Sequence, residues 1–229
     1  MSNIVSIVPK GLTILCAAGL ALATVACGPP TPEAEAAQTG EHTNAGKVSA
    51  GNLALGEKLP DFKAPNMEGE TVAVGDLLDG ESYVAVIFHS PSCPCANNCA
   101  TAISEMLTPD EYPDLKILGV VSDPMQDIGW FRDDLKKQMA DNVTFPVVFD
   151  KDQSIMNAYG ATRTPEVWLT DKDGTIRFWG APENVLEPEG SPDEYRFLMK
   201  EALDALREGR EPEVSSMAPI GCLISKMES

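Results

Sequence analysis

The cysteines are the residues of this chain best suited to chemistry. The sequence contains six, and two of them, Cys16 and Cys27, precede any segment that could fold into a domain. The remaining four are Cys93, Cys95, Cys99 and Cys222. Thiols form disulfides, act as redox nucleophiles or bind soft metal ions, so these four residues leave three kinds of chemistry open.

Cys93 lies where a strand is expected to pass into a helix. The run Tyr83–Phe88 is apolar and of strand length, and a proline-containing turn follows it. From Cys95 onward, apolar residues recur at helical spacing. A thiol beside a helix N-terminus meets unpaired N–H groups and the positive end of the helix dipole, which favour the nucleophilic thiolate. We therefore expect Cys93 to be the most reactive thiol.

Cys95 and Cys99 are one helical turn apart, a spacing that suits a shared metal ion better than a disulfide. Their β-carbons would be about 5–6 Å apart, whereas an unstrained disulfide needs roughly 3.8 Å. Cys222 could supply a third soft ligand, and thiolates favour copper(I) or zinc. Cys99 also continues the apolar face of the predicted helix, so a passive core position is an alternative.

The surrounding elements predict an α/β fold. Periodicity, caps and turn residues indicate, in order, a strand at 83–88, a helix from Cys95, a strand at 115–121, a helix from Asp123 to about Ala140, a strand at 145–149, a short helix at 153–159, a hairpin of 166–170 with 175–179, and a helix from Ser191 to about Gly209. This order predicts a mixed central β-sheet flanked by helices on both faces.

The N-terminal segment has the features of a bacterial lipoprotein signal. Residues 1–26 contain one charged residue, Lys10, and an apolar run that is short for a spanning helix. The stretch from Thr24 to Gly28 resembles a lipobox, whose cysteine is lipidated. We expect a signal peptide at 1–26, lipidation of Cys27 and an extracytoplasmic, membrane-anchored location; an ordinary signal or an uncleaved anchor are the alternatives.

The rest of the chain divides into a tether, a domain and a tail. Residues 27–52 have almost no large apolar side chains, which predicts a flexible acidic tether. Residues 53–209 contain the predicted strands and helices, and 210–229 form a C-terminal tail that carries Cys222. With 35 acidic against 17 basic residues the net charge is −18, which would repel a phosphate backbone and argues against a nucleic-acid partner.

Several segments resemble those of thioredoxin-like redoxins of the AhpC/TSA type, over roughly 57–224. The similar segments are the strand, turn and helix start at Phe88–Cys95, an opening hairpin at Leu59–Phe62 and Gly69–Val72, a cis-proline loop with terminal hairpin at Arg163–Gly174, and a Gly-Cys element of some exported redoxins at Pro219–Ile224. The resemblance implies a thioredoxin-like fold.

The cysteine spacing departs from the patterns of these relatives. The third residue after Cys93 is Ala96, so the usual Cys-x-x-Cys dithiol is not reproduced. The peroxiredoxin order of proline, threonine and cysteine is also missing upstream of Cys93 and Cys95. The spacing of Cys95 and Cys99 is similar to that of Sco-type copper proteins, but the histidine that those proteins add has no counterpart after His89.

The resemblance implies a redox role for the site. Cys93 would attack a disulfide or a peroxide, and Cys95 or Cys222 would resolve the product. Pro165, expected to be cis, would contact the active cysteine and dock partner chains. Thr164, Arg163 and Cys99 are the predicted supporting residues, with Arg163 able to stabilise a thiolate.

We therefore expect a thiol-disulfide oxidoreductase or thiol peroxidase without a cofactor. Its partners would be protein thiols and disulfides or a peroxide, together with an electron donor that the sequence does not identify. One alternative is a Sco-like copper-binding protein or metallochaperone that uses Cys95, Cys99 and Cys222. Another is a domain whose thiols form only structural disulfides.

Overall fold

The computed structural model describes residues 49–50, 53–141, 143–184 and 195–227. The predicted signal peptide, Cys27 and most of the predicted tether lie outside these residues. In the part of the chain that is described, no helix combines the length and apolar character needed to cross a bilayer.

Strands and helices follow one another in the order typical of an α/β domain. In chain order they are β1 (Ser49–Ala50), β2 (Leu53–Ala54), β3 (Lys63–Pro65), β4 (Thr71–Ala73), β5 (Tyr83–Phe88), α1 (Pro94–Met106), β6 (Leu115–Val121), α2 (Gly129–Asp141), β7 (Val147–Phe149), α3 (Ser154–Tyr159), β8 (Arg163–Thr164), β9 (Glu166–Thr170), β10 (Ile176–Gly180), α4 (Leu198–Arg207), β11 (Ser216–Met217) and β12 (Cys222–Leu223).

A mixed sheet forms the centre of the domain. Its strand order is β11-β10-β9-β5-β6-β7. β5, β6 and β7 are parallel, and β9 runs antiparallel to both β5 and β10. The predicted opening hairpin is formed by β3 and β4, which pair antiparallel. β1 and β2 pair within and beside the predicted tether.

β5 is buried on both faces because helices cover both sides of the sheet. Its odd-numbered residues belong to a core that includes side chains of α1, α2 and α4. Its even-numbered residues belong to a second core that includes α3. Successive side chains of a strand point to opposite faces, so the unbroken apolar run of β5 serves both cores. The predicted thioredoxin-like architecture is confirmed.

The helix predicted from Asp123 begins later, at Gly129. Asp123 Oδ1 accepts a hydrogen bond from the backbone N–H of Met125 at 2.9 Å, which closes a turn instead of capping a helix. Gln126, the expected capping-box partner, is buried and donates from Nε2 to the Asp150 carbonyl at 3.2 Å. A contact distant in sequence therefore overrides the local helix-start pattern.

The last helix also begins late, at Leu198. Its predicted capping box, Ser191–Glu194, lies outside the described residues. Immediately before the helix, the backbone N–H of Arg196 donates to Asn184 Oδ1 at 2.8 Å, and the Arg196 carbonyl accepts from the Asn184 N–H at 3.1 Å. This exchange with an earlier segment holds the chain out of helical geometry until Phe197.

Trp168 of β9 occupies the centre of an aromatic cluster, and its replacement tests the core assignment. Its ring lies 5.4 Å from Phe88, 5.3 Å from Tyr159 and 6.3 Å from Trp179, centroid to centroid. Trp168→Ala should lower the free energy of unfolding by about 3–5 kcal/mol in urea denaturation followed by circular dichroism. Trp130→Ala, at a side chain 49% exposed, should cost less than about 1 kcal/mol. Equal losses would contradict this core.

Candidate active site

Cys93 is the N-cap of α1, directly after the turn that ends β5. Its backbone is extended, with φ −100° and ψ 111°, and Pro94 takes the first helical position. A proline suits that position because the N–H it lacks would have no partner within the helix. The Cys93 carbonyl accepts the first helical hydrogen bond, from the Asn97 N–H at 3.1 Å. The sequence pattern predicted this placement.

The loop before β9 approaches the Cys93 sulfur directly. The peptide bond between Thr164 and Pro165 is cis, as predicted. Cys93 Sγ lies 3.0 Å from the Thr164 carbonyl oxygen, to which the protonated thiol donates. Cys93 and Thr164 are therefore in hydrogen-bond contact across 71 residues of sequence.

Glu166 fixes the backbone of this loop from within the core. Its side chain is fully buried. Oε2 accepts hydrogen bonds from the N–H groups of Thr162 and Arg163 at 2.8 and 3.1 Å, and Oε1 accepts from Trp179 Nε1 at 3.1 Å. Burial raises the pKa of Glu166 despite these donors. Sequence reasoning missed this positioning residue, because a glutamate in a strand gives no sign of its buried partners.

The C-terminal tail returns to this loop as an added strand. β12 pairs antiparallel with β8, and Cys222 lies opposite Thr164. Two residues after Cys222, the Ile224 N–H donates to the Thr162 carbonyl at 2.9 Å. The tail therefore docks along the edge that precedes the cis-proline.

Gly221 permits this docking because no other residue would fit there. Its φ is +129°, and a Cβ added to it would lie 2.1 Å from the Thr164 carbonyl oxygen, far inside van der Waals contact. Arg163 Nη1 donates to the Gly221 carbonyl at 2.6 Å. Arg163, predicted to stabilise a thiolate, thus holds the tail instead.

Gln153 anchors the far end of the tail. It is buried, with a left-handed backbone at φ 56°. Its Nε2 donates to the carbonyls of Ser122 and Ser225, both at 2.8 Å, and its Oε1 accepts the Met227 N–H at 2.8 Å. A single amide therefore joins the tail to the end of β6, a role that nothing in the local sequence indicates.

Three sulfur atoms converge as a result. The Sγ atoms of Cys93, Cys95 and Cys222 lie within 4.8 Å of one another. Cys99 is not in this group: it faces the core and is 1% exposed. The predicted metal set of Cys95, Cys99 and Cys222 is wrong in that respect, because helical spacing aligns Cys95 and Cys99 but only the first turn of α1 faces the loop and the tail.

Hydrogen-bond donors around the Cys93 sulfur favour its ionised form. Burial by itself would raise the pKa of Cys93. The Cys222 thiol, the Thr164 hydroxyl and the backbone N–H groups of Ala96 and Cys222 point to the sulfur, and together they hold its pKa below the ordinary value of 9.0. Hydrogen bonds to an anion stabilise it, so Cys93 is the thiol best suited to act as a nucleophile.

The other three thiols remain protonated at neutral pH. Burial and the adjacent Cys93 raise the pKa of Cys95. Burial raises the pKa of Cys222 to about 12, with a further contribution from its contact with Cys93. Burial is the main reason that the pKa of Cys99 lies well above 9.0. The site thus combines one acidic thiol with two neighbouring proton-bearing thiols.

A small cavity adjoins Cys93, lined in part by His89, Ser90, Ser122 and Asp123. Burial lowers the pKa of His89 to about 4, so the ring is neutral at pH 7. Its Nε2 lies 3.3 Å from Gln138 Oε1, which can only accept, so the hydrogen is on Nε2. His89 is thus a neutral wall of the cavity and carries no positive charge that could stabilise a thiolate.

The match to a known family spans the domain that carries Cys93 and Pro165. A family model described as the AhpC/TSA family matches residues 55–179, more than half of the chain. The chain belongs to the AhpC/TSA family. The match confirms the resemblance inferred from sequence. It ends before the tail, so Cys222 lies beyond the part shared with the AhpC/TSA family.

Two curated relatives are named as redox enzymes. A protein of Mycobacterium tuberculosis named "Putative peroxiredoxin" is 26% identical over 125 residues, which are 55% of this chain and 75% of that protein. The thiol-disulfide oxidoreductase ResA of Geobacillus thermodenitrificans is 25% identical over 126 residues, 55% of this chain and 68% of ResA. These names describe the two enzyme classes predicted from the sequence.

Solved structures share the fold over a larger part of the chain. A hypothetical protein of Sinorhizobium meliloti is 23% identical with a TM-score of 0.68, covering 77% of this chain and 97% of that one. An uncharacterized conserved protein of Geobacillus kaustophilus is 23% identical with a TM-score of 0.66, covering 76% and 93%. At this identity the likeness concerns the fold.

The depressed pKa of Cys93 predicts the order of thiol reactivity. In reduced protein, alkylation by iodoacetamide, resolved by peptide mass spectrometry across pH, should give Cys93 an apparent pKa below that of free cysteine. Cys222→Ser should raise that pKa because it replaces a thiol donor with a differently placed hydroxyl. Cys99→Ser, in the core, should leave it unchanged. An apparent Cys93 pKa at or above that of free cysteine, about 8.5, in the unsubstituted protein would remove the basis for a Cys93 nucleophile.

Proposed function

We propose that this chain is a thiol-based redoxin, either a thiol-disulfide oxidoreductase or a thiol peroxidase, anchored at an extracytoplasmic membrane face. The observation that carries the redox role is the convergence of an acidic thiol, Cys93, with two protonated thiols, Cys95 and Cys222. Nucleophilic thiols need a second thiol nearby to complete a catalytic cycle, and this site contains two.

The first step belongs to Cys93. With a disulfide substrate, its thiolate forms a mixed disulfide and one substrate sulfur leaves as a thiolate. With a peroxide, it attacks one oxygen, breaks the O–O bond and becomes a sulfenic acid, and the other oxygen leaves as an alcohol or water after gaining a proton. In either case a second cysteine then attacks the Cys93 sulfur, releasing the reduced substrate or water and leaving a disulfide within the chain.

Cys222 is the better placed resolving thiol. Cys95 also lies beside the Cys93 sulfur, but it is only two residues from Cys93, and a disulfide that closes so small a loop would strain the first turn of α1. Cys222 comes from a separate strand and already contacts the Cys93 sulfur. Once Cys93 is in a mixed disulfide its negative charge is lost, which removes one cause of the high pKa of Cys222 and favours its ionisation when it is needed.

The burial of Cys93 restricts access for protein disulfides more than for small peroxides. Its side chain is 1% exposed, and the tail forms part of its cover. A small peroxide could approach through the adjoining cavity, whereas a protein disulfide would need the tail to shift. Two electrons and two protons from a separate donor would then reduce the Cys93–Cys222 disulfide and restore the starting state.

The location rests on the N-terminal sequence. The apolar run before Cys27 and the small residues around it favour export and lipidation. In an oxidising compartment, a redox-active thiol pair needs a reducing donor to complete each cycle.

Oxidation should join Cys93 to Cys222. After treatment with hydrogen peroxide or a disulfide oxidant, non-reducing digestion and mass spectrometry should yield a peptide pair linked by these residues. Cys93→Ser should abolish turnover, whereas Cys222→Ser should retain the first attack and accumulate the mixed disulfide or sulfenic acid. Cys95→Ser is the matched control for the resolving role. A Cys93–Cys95 link that persists in unsubstituted protein would reassign resolution to Cys95.

Replacing Cys27 tests the membrane anchor. Cys27→Ser, expressed in a bacterium that lipidates exported proteins, should move the chain from the membrane to the soluble fraction because no acylation site remains. Cys16→Ser is the control, since it lies within the segment expected to be removed. Membrane retention of Cys27→Ser would indicate an uncleaved anchor.

A further inference from the structure

Three thiols from two separate segments meet at one point beside the cis-proline loop. Their sulfur atoms are within 4.8 Å of one another, and no histidine or carboxylate among the described residues belongs to the group. Cys93 and Cys95 are fixed by the first turn of α1, and Cys222 by the pairing of β12 with β8. The donor set is therefore purely sulfur and is held by a preformed framework.

The spacing of these sulfurs is close to that of a mononuclear thiolate site. Three sulfurs each about 2.3 Å from one ion in a plane lie about 4 Å from one another. The observed limit of 4.8 Å thus requires shifts of less than about 1 Å, which side-chain rotation can supply.

The three sulfur ligands indicate which metal ion the site would bind. Thiolates prefer soft ions, chiefly copper(I), zinc and iron in clusters. Structural zinc sites are almost always closed by four protein ligands, and this group supplies three. Copper(I) has a filled d shell and is satisfied by three thiolates in a plane.

We propose that the reduced site binds one copper(I) ion through the thiolates of Cys93, Cys95 and Cys222. Binding replaces up to three thiol protons with one ion, forms three copper–sulfur bonds and changes no oxidation state. It is a function beyond the proposed redox chemistry, and the two exclude each other at any moment, because a Cys93–Cys222 disulfide removes two of the ligands.

Protons compete with the ion. A cysteine binds copper(I) as a thiolate, so each ligand thiol that carries a proton must release it on binding. Apparent affinity should therefore rise steadily as pH increases across the neutral range.

The test is a competition for copper(I) under anaerobic conditions. The full chain carrying Cys16→Ser and Cys27→Ser is reduced, so that only the four domain thiols remain, and is titrated with the coloured copper(I)–bicinchoninate complex. It should withdraw one equivalent, and X-ray absorption should show three sulfurs at about 2.3 Å. Cys93→Ser, Cys95→Ser and Cys222→Ser should each lower the affinity at least about 100-fold, whereas Cys99→Ser should not.

Two glycine substitutions test whether copper(I) binding depends on the geometry of the site and not only on its thiols. Gly221→Ala keeps every cysteine but introduces the 2.1 Å clash with the Thr164 carbonyl, so it should lower the affinity as much as Cys222→Ser does. Gly69→Ala is the matched control: its φ is +86°, and an added Cβ would meet nothing within 4 Å. Circular dichroism verifies that each variant is folded.

Several outcomes would overturn the copper site. They are failure of the reduced chain to withdraw copper(I) from bicinchoninate, an equal loss in Cys99→Ser, unchanged affinity in Gly221→Ala, or a zinc ion that copper(I) does not displace. Failure of the redox proposal is separable, since it is read from Cys93 alkylation and disulfide mapping without metal. A chain that cycles its thiols but ignores copper would refute this inference alone.

Discussion

The antiparallel pairing of β12 with β8 is the interaction on which the candidate site depends. It brings the Cys222 thiol and backbone N–H to the Cys93 sulfur. Burial raises the pKa of a thiol, so without these donors the pKa of Cys93 would be higher. The lowered pKa of Cys93 therefore comes partly from a tail that lies beyond the residues matched by the AhpC/TSA family model.

The same pairing links the protonation state of the site to its oxidation state. While Cys93 is a thiolate, it disfavours ionisation of Cys95 and Cys222. When Cys93 is bonded to a substrate sulfur or oxygen, that repulsion ends. In the proposed cycle, the thiols next to Cys93 would therefore stay protonated until the first step has occurred.

The sequence predicted the strand, turn and helix start that position Cys93, and the family resemblance implied that Cys222 lies near it; neither predicted the contacts that hold the tail in place. The apolar run of β5, the turn and the helix start placed Cys93 correctly, and the family resemblance supplied the cis bond at Pro165. α2 starts late because Gln126 donates to the Asp150 carbonyl. Gln153 holds the tail, and Glu166 holds the loop on which the tail docks. Those contacts join residues distant in sequence, or a side chain to buried backbone, so no periodicity or propensity reports them.

The pairing of β11 with β10 sets a limit on how far Cys222 can travel. Gly180 allows that pairing, since a Cβ added there would lie 1.7 Å from the Met217 carbonyl oxygen. If β12 detaches while β11 stays in place, the five residues from 218 to Cys222 span at most roughly 17 Å. The short connecting segment therefore keeps Cys222 close to Cys93 of the same chain. Closure of the proposed Cys93–Cys222 disulfide would consequently be a first-order event, whose rate does not depend on protein concentration and which needs no second copy of the chain.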